Sequence, residues 1–184
     1  IAEYANAHSD AGDAILDIGA NDGTLLSGVL EDRIRIGCEP ASNLWSKCAE
    51  HCDVLLPGMW DSGNLKHKCK IVTAIGMFYD MDDPNDFIRG VSDVLTDDGV
   101  FVAQLMTLKP MLDKSDLGNV CHEHLEYYSY RSLVKLYEQN GLQINEYSGC
   151  KPRNEPRFGR YVLTEFARCS SFSVLTLPSH LSDF

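Results

Sequence analysis

The apolar positions of this 184-residue chain fall into short β-type runs that alternate with amphipathic helical ones. "AILDIGA" (14–20) reads as a buried strand ending in a glycine turn, and "GTLLSGVLE" (23–31) continues it as a helix. "IRIGCEP" (34–40) is a second strand, followed by a helix through "SNLWSKCAEH" (42–51) with Ser42 as its expected N-cap. "DVLLP" (53–57) makes a short third strand and leads to a loop holding Gly58, Trp60 and Gly63. "KIVTAIGMFYD" (70–80), the longest apolar run, reads as a central strand. Pro84 opens a helix with Phe87, Ile88, Val91, Val94 and Leu95 as its apolar positions, and "DDG" then turns the chain into a fifth strand, "VFVAQLM" (100–106). A loop or helix is expected around 108–118, then a helix "SYRSLVKLYEQNG" (129–141) closed by Gly141. "LQINEYS" (142–148) and "RYVLTEFAR" (160–168) read as two final strands, separated by a polar loop with two prolines. Residues 169–184 show no clear period and read as an unassigned tail, so one domain is expected over 1–168.

Strands alternating with helices imply βαβ units and a mostly parallel sheet covered on both faces. Such sheets bind ligands at the carboxyl ends of their strands, near the switch in strand order. That rule selects 17–24, 39–42, 58–62, 76–80 and 104–108 as the stretches to search for chemistry.

Composition narrows the class. With 44% hydrophobic and 23% charged residues the chain reads as a soluble globular domain. No apolar run approaches the roughly 20 residues a spanning helix needs, and no signal peptide is visible, so a cytoplasmic protein without membrane partners is expected. A formal charge of −11 argues against a nucleic-acid backbone as main partner. The seven cysteines are irregularly spaced and form no C-x-x-C pair, so reduced thiols are expected rather than a zinc site or a disulfide framework. The chain opens on Ile1 rather than methionine, which suggests a piece of a longer one.

"LDIGANDGTLL" sets Gly19 and Gly23 on a strand-to-helix turn with Asp17 at the strand end. Glycines there let the backbone approach a ligand, and Asn21 stands where a dinucleotide fingerprint often has glycine, a position it tolerates in left-handed geometry. Glu39, in "GCEP" before Pro40, lies twenty residues beyond Gly19, where an acid accepts ribose hydroxyls. Asp17 suits an ammonium group better than a phosphate. The combination points to S-adenosylmethionine, with nicotinamide dinucleotides as runner-up. In "GMFYD" (76–80), Met77 and Phe78 are candidates for the cofactor and Tyr79 for the acceptor, with filling of the sheet edge as the alternative for Phe78 and Tyr79; Trp60 and Asp61 are candidates for covering the adenine, and Gln104 for reaching the substrate.

"NVCHEHLEYYS" (119–129) is dense in titratable groups and has three readings: a metal site, a base cluster, or a polar entry to the helix that Ser129 caps. An H-x-H pair needs further ligands, and neither Cys121 nor Glu126 extends a recognised spacing, so no metal is expected. A histidine suits a base, its ordinary pKa of about 6.5 lying near working pH. Together with "LDIGANDGTLL", "GCEPASNL" and "AIGMFYDMDDPNDFIRGVSDVLTDDGVFVAQL", the segment "NVCHEHLEYYSYRSL" resembles the S-adenosylmethionine-dependent C-methyltransferases of nucleotide-linked deoxyketosugars, over about residues 14–147. The resemblance implies an α/β, Rossmann-like class I methyltransferase fold, with a mostly parallel seven-stranded sheet and helices on both faces. It also implies an amino-terminal zinc-binding domain and a carboxy-terminal domain in the full family architecture, neither evident here. It makes Glu123 and His124 the catalytic pair, with His124 forming an enolate, and leaves His122 for the substrate's sugar or diphosphate. Transfer to oxygen or nitrogen of another small molecule, or a non-catalytic S-adenosylmethionine-binding module, are the alternatives.

Overall fold

A computed structural model describes residues 1–113, 115, 118, 120–150 and 161–168, with the backbone alone for 145–150 and 161–168. The polar loop and the tail expected from residue 169 lie outside the described residues. A short helix α1 (Ala2–Ala7) leads into strand β1 (Ala14–Ile18), helix α2 (Thr24–Ser27), β2 (Ile34–Glu39), α3 (Trp45–Cys48) and β3 (Val54–Pro57). A 3-10 turn (Ser62–Asn64) precedes β4 (Cys69–Ile75), and a second (Phe78–Asp80) follows it. Then come α4 (Pro84–Val94), β5 (Leu95–Met106), α5 (Leu108–Asp113), α6 (Tyr130–Gln139), β6 (Leu142–Cys150) and β7 (Tyr161–Arg168).

The first five strands pair in parallel, in the order β3-β2-β1-β4-β5. β7 pairs antiparallel with β5, and β6 with β7, beyond that edge. The order reverses at β1, between β2 and β4, and a ligand crevice opens at such a reversal.

Strand alternation divides the core between the two faces. Leu16, Ile18, Ile36, Val72, Ala74, Phe101 and Ala103 face α4 and α6, in a cluster with Phe78, Ile88, Val91, Leu133 and Tyr137. Ile15, Ile71 and Val102 face the other way, against Ala5, Leu26, Val29 and Cys48 of the amino-terminal helices. Asp17 and Thr73 follow Ile15 and Ile71 by two residues, and Gln104 follows Val102 by two. All three therefore lie on the second face, with Glu39 two residues beyond Gly37, the register partner of Asp17.

Several boundaries differ from the sequence expectation. The helices after β1 and β2 are four residues each. Ser42 is not a cap: α3 starts after Leu44 without a side-chain cap bond, because turns from Ala41 to Leu44 and Ser42 to Trp45 delay it. β5 begins at Leu95 rather than Val100, since Leu95 already pairs with Cys69 and the next pair, Ile71 with Val100, skips the intervening residues as a bulge. α4 is capped by Asp83, whose side chain accepts from the Asp86 amide at 3.0 Å, with Pro84 at its first position. α6 has the expected cap: Ser129 and Ser132 form a reciprocal capping box.

Candidate active site

The turn after β1 is built for close approach. Gly19, Asn21 and Gly23 all have positive φ (76°, 53° and 82°), and Gly23 starts α2 as its N-cap. A Cβ on Gly19 would stand 2.9 Å from Met77 Cγ, so the methionine after β4 lies directly over the turn. Glu39, 5% exposed, ties the turn to β2: one carboxylate oxygen accepts from the Asn21 amide at 2.8 Å and the other from Ala41 at 2.7 Å. The Trp45 indole donates to the Glu39 carbonyl at 2.8 Å and fixes that strand end from outside. Pro40 follows on the surface.

Asp17 is 3% exposed and accepts from Thr73 Oγ1 on the neighbouring strand at 2.6 Å. Burial raises its carboxyl to about 7; the Thr73 hydrogen bond pulls it down, and the negative charge of Glu39 pushes it up again. Two buried carboxylates on one face, beside a turn of left-handed residues, make a site for a ligand with a positive charge and a vicinal diol. Each oxygen of Glu39 keeps lone-pair capacity beyond its one amide. That set of acceptors fits the ammonium and ribose hydroxyl donors of S-adenosylmethionine.

The second half of the site is the 3-10 turn after β4. Gly76 donates to the Gln104 carbonyl at 2.8 Å, joining the ends of β4 and β5. The carbonyl of Tyr79 accepts from both Leu125 and Glu126, each at 3.0 Å, and docks the polar segment onto this turn. His124 thereby meets the Tyr79 ring edge-on, with centroids 4.5 Å apart. The segment is also held at its far end, where Leu108 donates to the Tyr128 carbonyl at 2.8 Å and the Tyr128 ring stacks on Phe78.

The expected residues thus separate into groups. Asp17, Gly19, Asn21, Gly23, Glu39 and Met77 come together at the glycine turn, and Tyr79, His124 and Gln104 stand by the ends of β4 and β5. Phe78 was expected against the cofactor, but it is fully buried in the core, among Tyr128, Phe87 and Tyr137. The 3-10 turn rotates it onto the α4 face. Trp60 and Asp61 open on a groove of about 340 Å³ beside α4, with Ser62, Asp83, Phe87 and Gly90, whose lining includes none of residues 17–23. Both Asp61 oxygens are taken locally, by Gly63 and Asn64. The side chains of His122 and Glu123 are 92% and 74% exposed.

Sequence reasoning missed Thr73 and Asp80. Thr73 sits inside an apolar strand and gains its role only through register. Asp80 was signalled by its place at the end of "GMFYD", and it is half-buried beside His124. Among the described residues no group of three His, Cys, Asp or Glu is placed to hold a metal, and no helix is long and apolar enough to cross a membrane.

Residues 1–147 match the family model described as a methyltransferase domain. The chain belongs to that family. With it comes the cofactor, S-adenosylmethionine, whose chemistry is an activated methyl on a cationic sulfur. A curated relative, the C-methyltransferase NovU of Streptomyces niveus, is 26% identical over 140 residues, which is 72% of this chain. The chain spans 33% of that relative's length. Solved structures agree on the fold. A putative methyltransferase in complex with the Haloferax volcanii Trm112 activator superposes with a TM-score of 0.71 at 14% identity, covering 91% of this chain and 88% of that one. The magnesium protoporphyrin IX methyltransferase ChlM of Synechocystis PCC 6803, with bound SAH, gives 0.68 at 12% identity, covering 91% and 80%.

Proposed function

We propose that this chain transfers a methyl group from S-adenosylmethionine to a carbon next to a ketone, in a nucleotide-linked deoxyketosugar, with His124 as the base. The observation that carries the reading is the docking of His124 on the turn after β4 through the two hydrogen bonds to the Tyr79 carbonyl. This puts an imidazole at the carboxyl end of the strand next to the one bearing Asp17. The relationship to a C-methyltransferase supports carbon as the methyl acceptor.

In this reading Asp17 pairs with the ammonium group, Glu39 takes the ribose hydroxyls, and Gly19, Asn21, Gly23 and Met77 form the wall between them. His124 removes the proton α to the ketone; the electron pair stays on the acceptor as an enolate, whose carbon is then the nucleophile. Tyr79 and Gln104 line the acceptor side. His122 meets its sugar or diphosphate from the solvent side, and Glu123, the exposed carboxylate beside His124, relays the proton to solvent. The reading places the reaction in deoxysugar biosynthesis in the cytoplasm. It takes residues 1–168 as one domain whose sheet, with β6 and β7, has the seven strands of class I methyltransferases.

The test is His124→Ala. Methylation of the acceptor falls at least about 100-fold, while S-adenosylhomocysteine binds within about twofold of wild type by calorimetry, because His124 is not in the cofactor group. Full turnover in the variant removes His124 from the base role. No heat with S-adenosylhomocysteine on the parent chain removes the cofactor assignment to these residues.

A further inference from the structure

Asp80 ends the 3-10 turn that carries Tyr79, and Oδ1 of its carboxyl group is buried without a hydrogen-bond partner among the described residues. Buried polar atoms are almost always paired, so this oxygen is free to accept from a neighbouring donor that forms during the reaction, such as an imidazole that has gained a proton. The backbone decides which group lies nearby. Leu125 and Glu126 both bond to the carbonyl of Tyr79, the residue before Asp80, and His124 packs its ring against that of Tyr79. His124 thus lies against the residue that immediately precedes Asp80.

Taking His124 as the base of the proposed reaction, we propose that Asp80 is its positioning carboxylate: it holds the imidazole and balances the charge the ring gains. In the proton transfer the α C–H bond breaks, the proton goes to a ring nitrogen, and the electron pair goes to the enolate. The ring becomes cationic and Asp80 stays the anion beside it, taking no proton itself. Burial raises the Asp80 carboxyl above the usual range, the imidazole of His124 lowers it, and Glu123 raises it again, in that order of size. Glu123, the neighbour in sequence, is a weaker candidate. Its side chain is 74% exposed, and water screens its charge more than that of the half-buried Asp80. The other ionisable groups within two residues of this pair in sequence are Tyr79 and Asp82 beside Asp80, and His122, Glu123 and Glu126 beside His124.

Asp80→Asn in the full chain keeps shape and removes charge. Three readouts are taken: the ¹⁵N ring shifts of His124, hydrogen–deuterium exchange at the α carbon of a nucleoside-diphosphate-linked ketohexose, and S-adenosylhomocysteine affinity. The expected result is a changed His124 ring signature, exchange slowed at least about tenfold, unchanged affinity, and partial recovery of exchange in Asp80→Glu. An unchanged ring signature and unchanged exchange overturn the proposal. If Asp80→Asn does not fold, the carboxyl ¹³C titration of Asp80 in His124→Ala decides instead. Loss of the imidazole's pull moves the Asp80 midpoint upward, and an unmoved midpoint overturns the pairing. The base reading fails separately, when His124→Ala exchanges the α proton at the parent rate. An altered His124 ring in Asp80→Asn without exchange in any form upholds the pair and removes the acceptor assignment.

Discussion

Asp17 shows at the level of one residue how a buried carboxyl costs stability as pH rises. Its carboxyl sits at about 7 in the folded chain because burial outweighs the Thr73 hydrogen bond. Between about pH 4 and pH 7 the unfolded chain has released this proton while the folded one still holds it. Folding stability is therefore fully present at the acid end of that window and lost as pH rises through it, by on the order of 4 kcal/mol. Asp17→Asn, which can still accept from Thr73, is expected to raise the urea midpoint at pH 8 and to converge with wild type near pH 4. The same substitution removes the anion proposed to meet an ammonium group, so S-adenosylhomocysteine affinity is expected to fall at least about tenfold. In the wild type, affinity weakens as pH drops below about 7. A variant less stable than wild type at pH 8, yet binding normally, would reverse this account. The positions of Asp17 and Glu39 beside the glycine turn were legible from sequence because each stands near the end of an apolar strand. Thr73 was not, because only the β1–β4 register brings it to Asp17. Asp80 was passed over because the segment docked on its turn lies some forty residues later in the chain.

At the scale of elements, local chemistry was legible where one residue decides and illegible where packing does. Ser129 caps α6 as its side chain predicts, whereas Ser42 has the same side chain and caps nothing, because the turns at Ala41–Leu44 hold the backbone out of helix. The apolar runs located the strands, since burial on both sheet faces demands them. The start of β5 was missed because "TDDG" reads as a turn, while the structure carries it as a bulge within one strand. Helix α1 gave no amphipathic signal to place it before β1. The Ser129 cap also joins α6 to the segment that carries His124. Ser129→Ala removes the acceptor for the Ser132 amide, a bond of 3.1 Å, and is expected to cost about 1 kcal/mol in chemical denaturation. Because the bonds to Tyr79 are untouched, cofactor affinity stays at the parent value. A loss above about 3 kcal/mol would mean the cap holds more than one helix end.

Across the whole molecule, one ring connects the core to the docked segment that carries His124. Phe78 leaves β4 with no exposed surface and packs between Phe87 of α4, Tyr137 of α6 and Tyr128 of the docked segment, centroids 5.2, 6.1 and 5.2 Å away. Sheet, two helices and the His124 segment thus share one aromatic cluster, so the site cannot loosen without the core. Phe78→Ala opens a cavity and is expected to cost about 3–5 kcal/mol. Loss of the Tyr128 stack should also free the segment, lowering methylation further than S-adenosylhomocysteine affinity, because the glycine turn and both carboxylates lie on the opposite sheet face. Phe78→Leu keeps most of the volume and should lose less stability and less of both activities. A ring lining the cofactor gives the opposite pattern: affinity drops steeply while the urea midpoint barely moves. Denaturation and calorimetry on these two variants therefore separate a core ring that supports the acceptor side from a wall of the cofactor pocket.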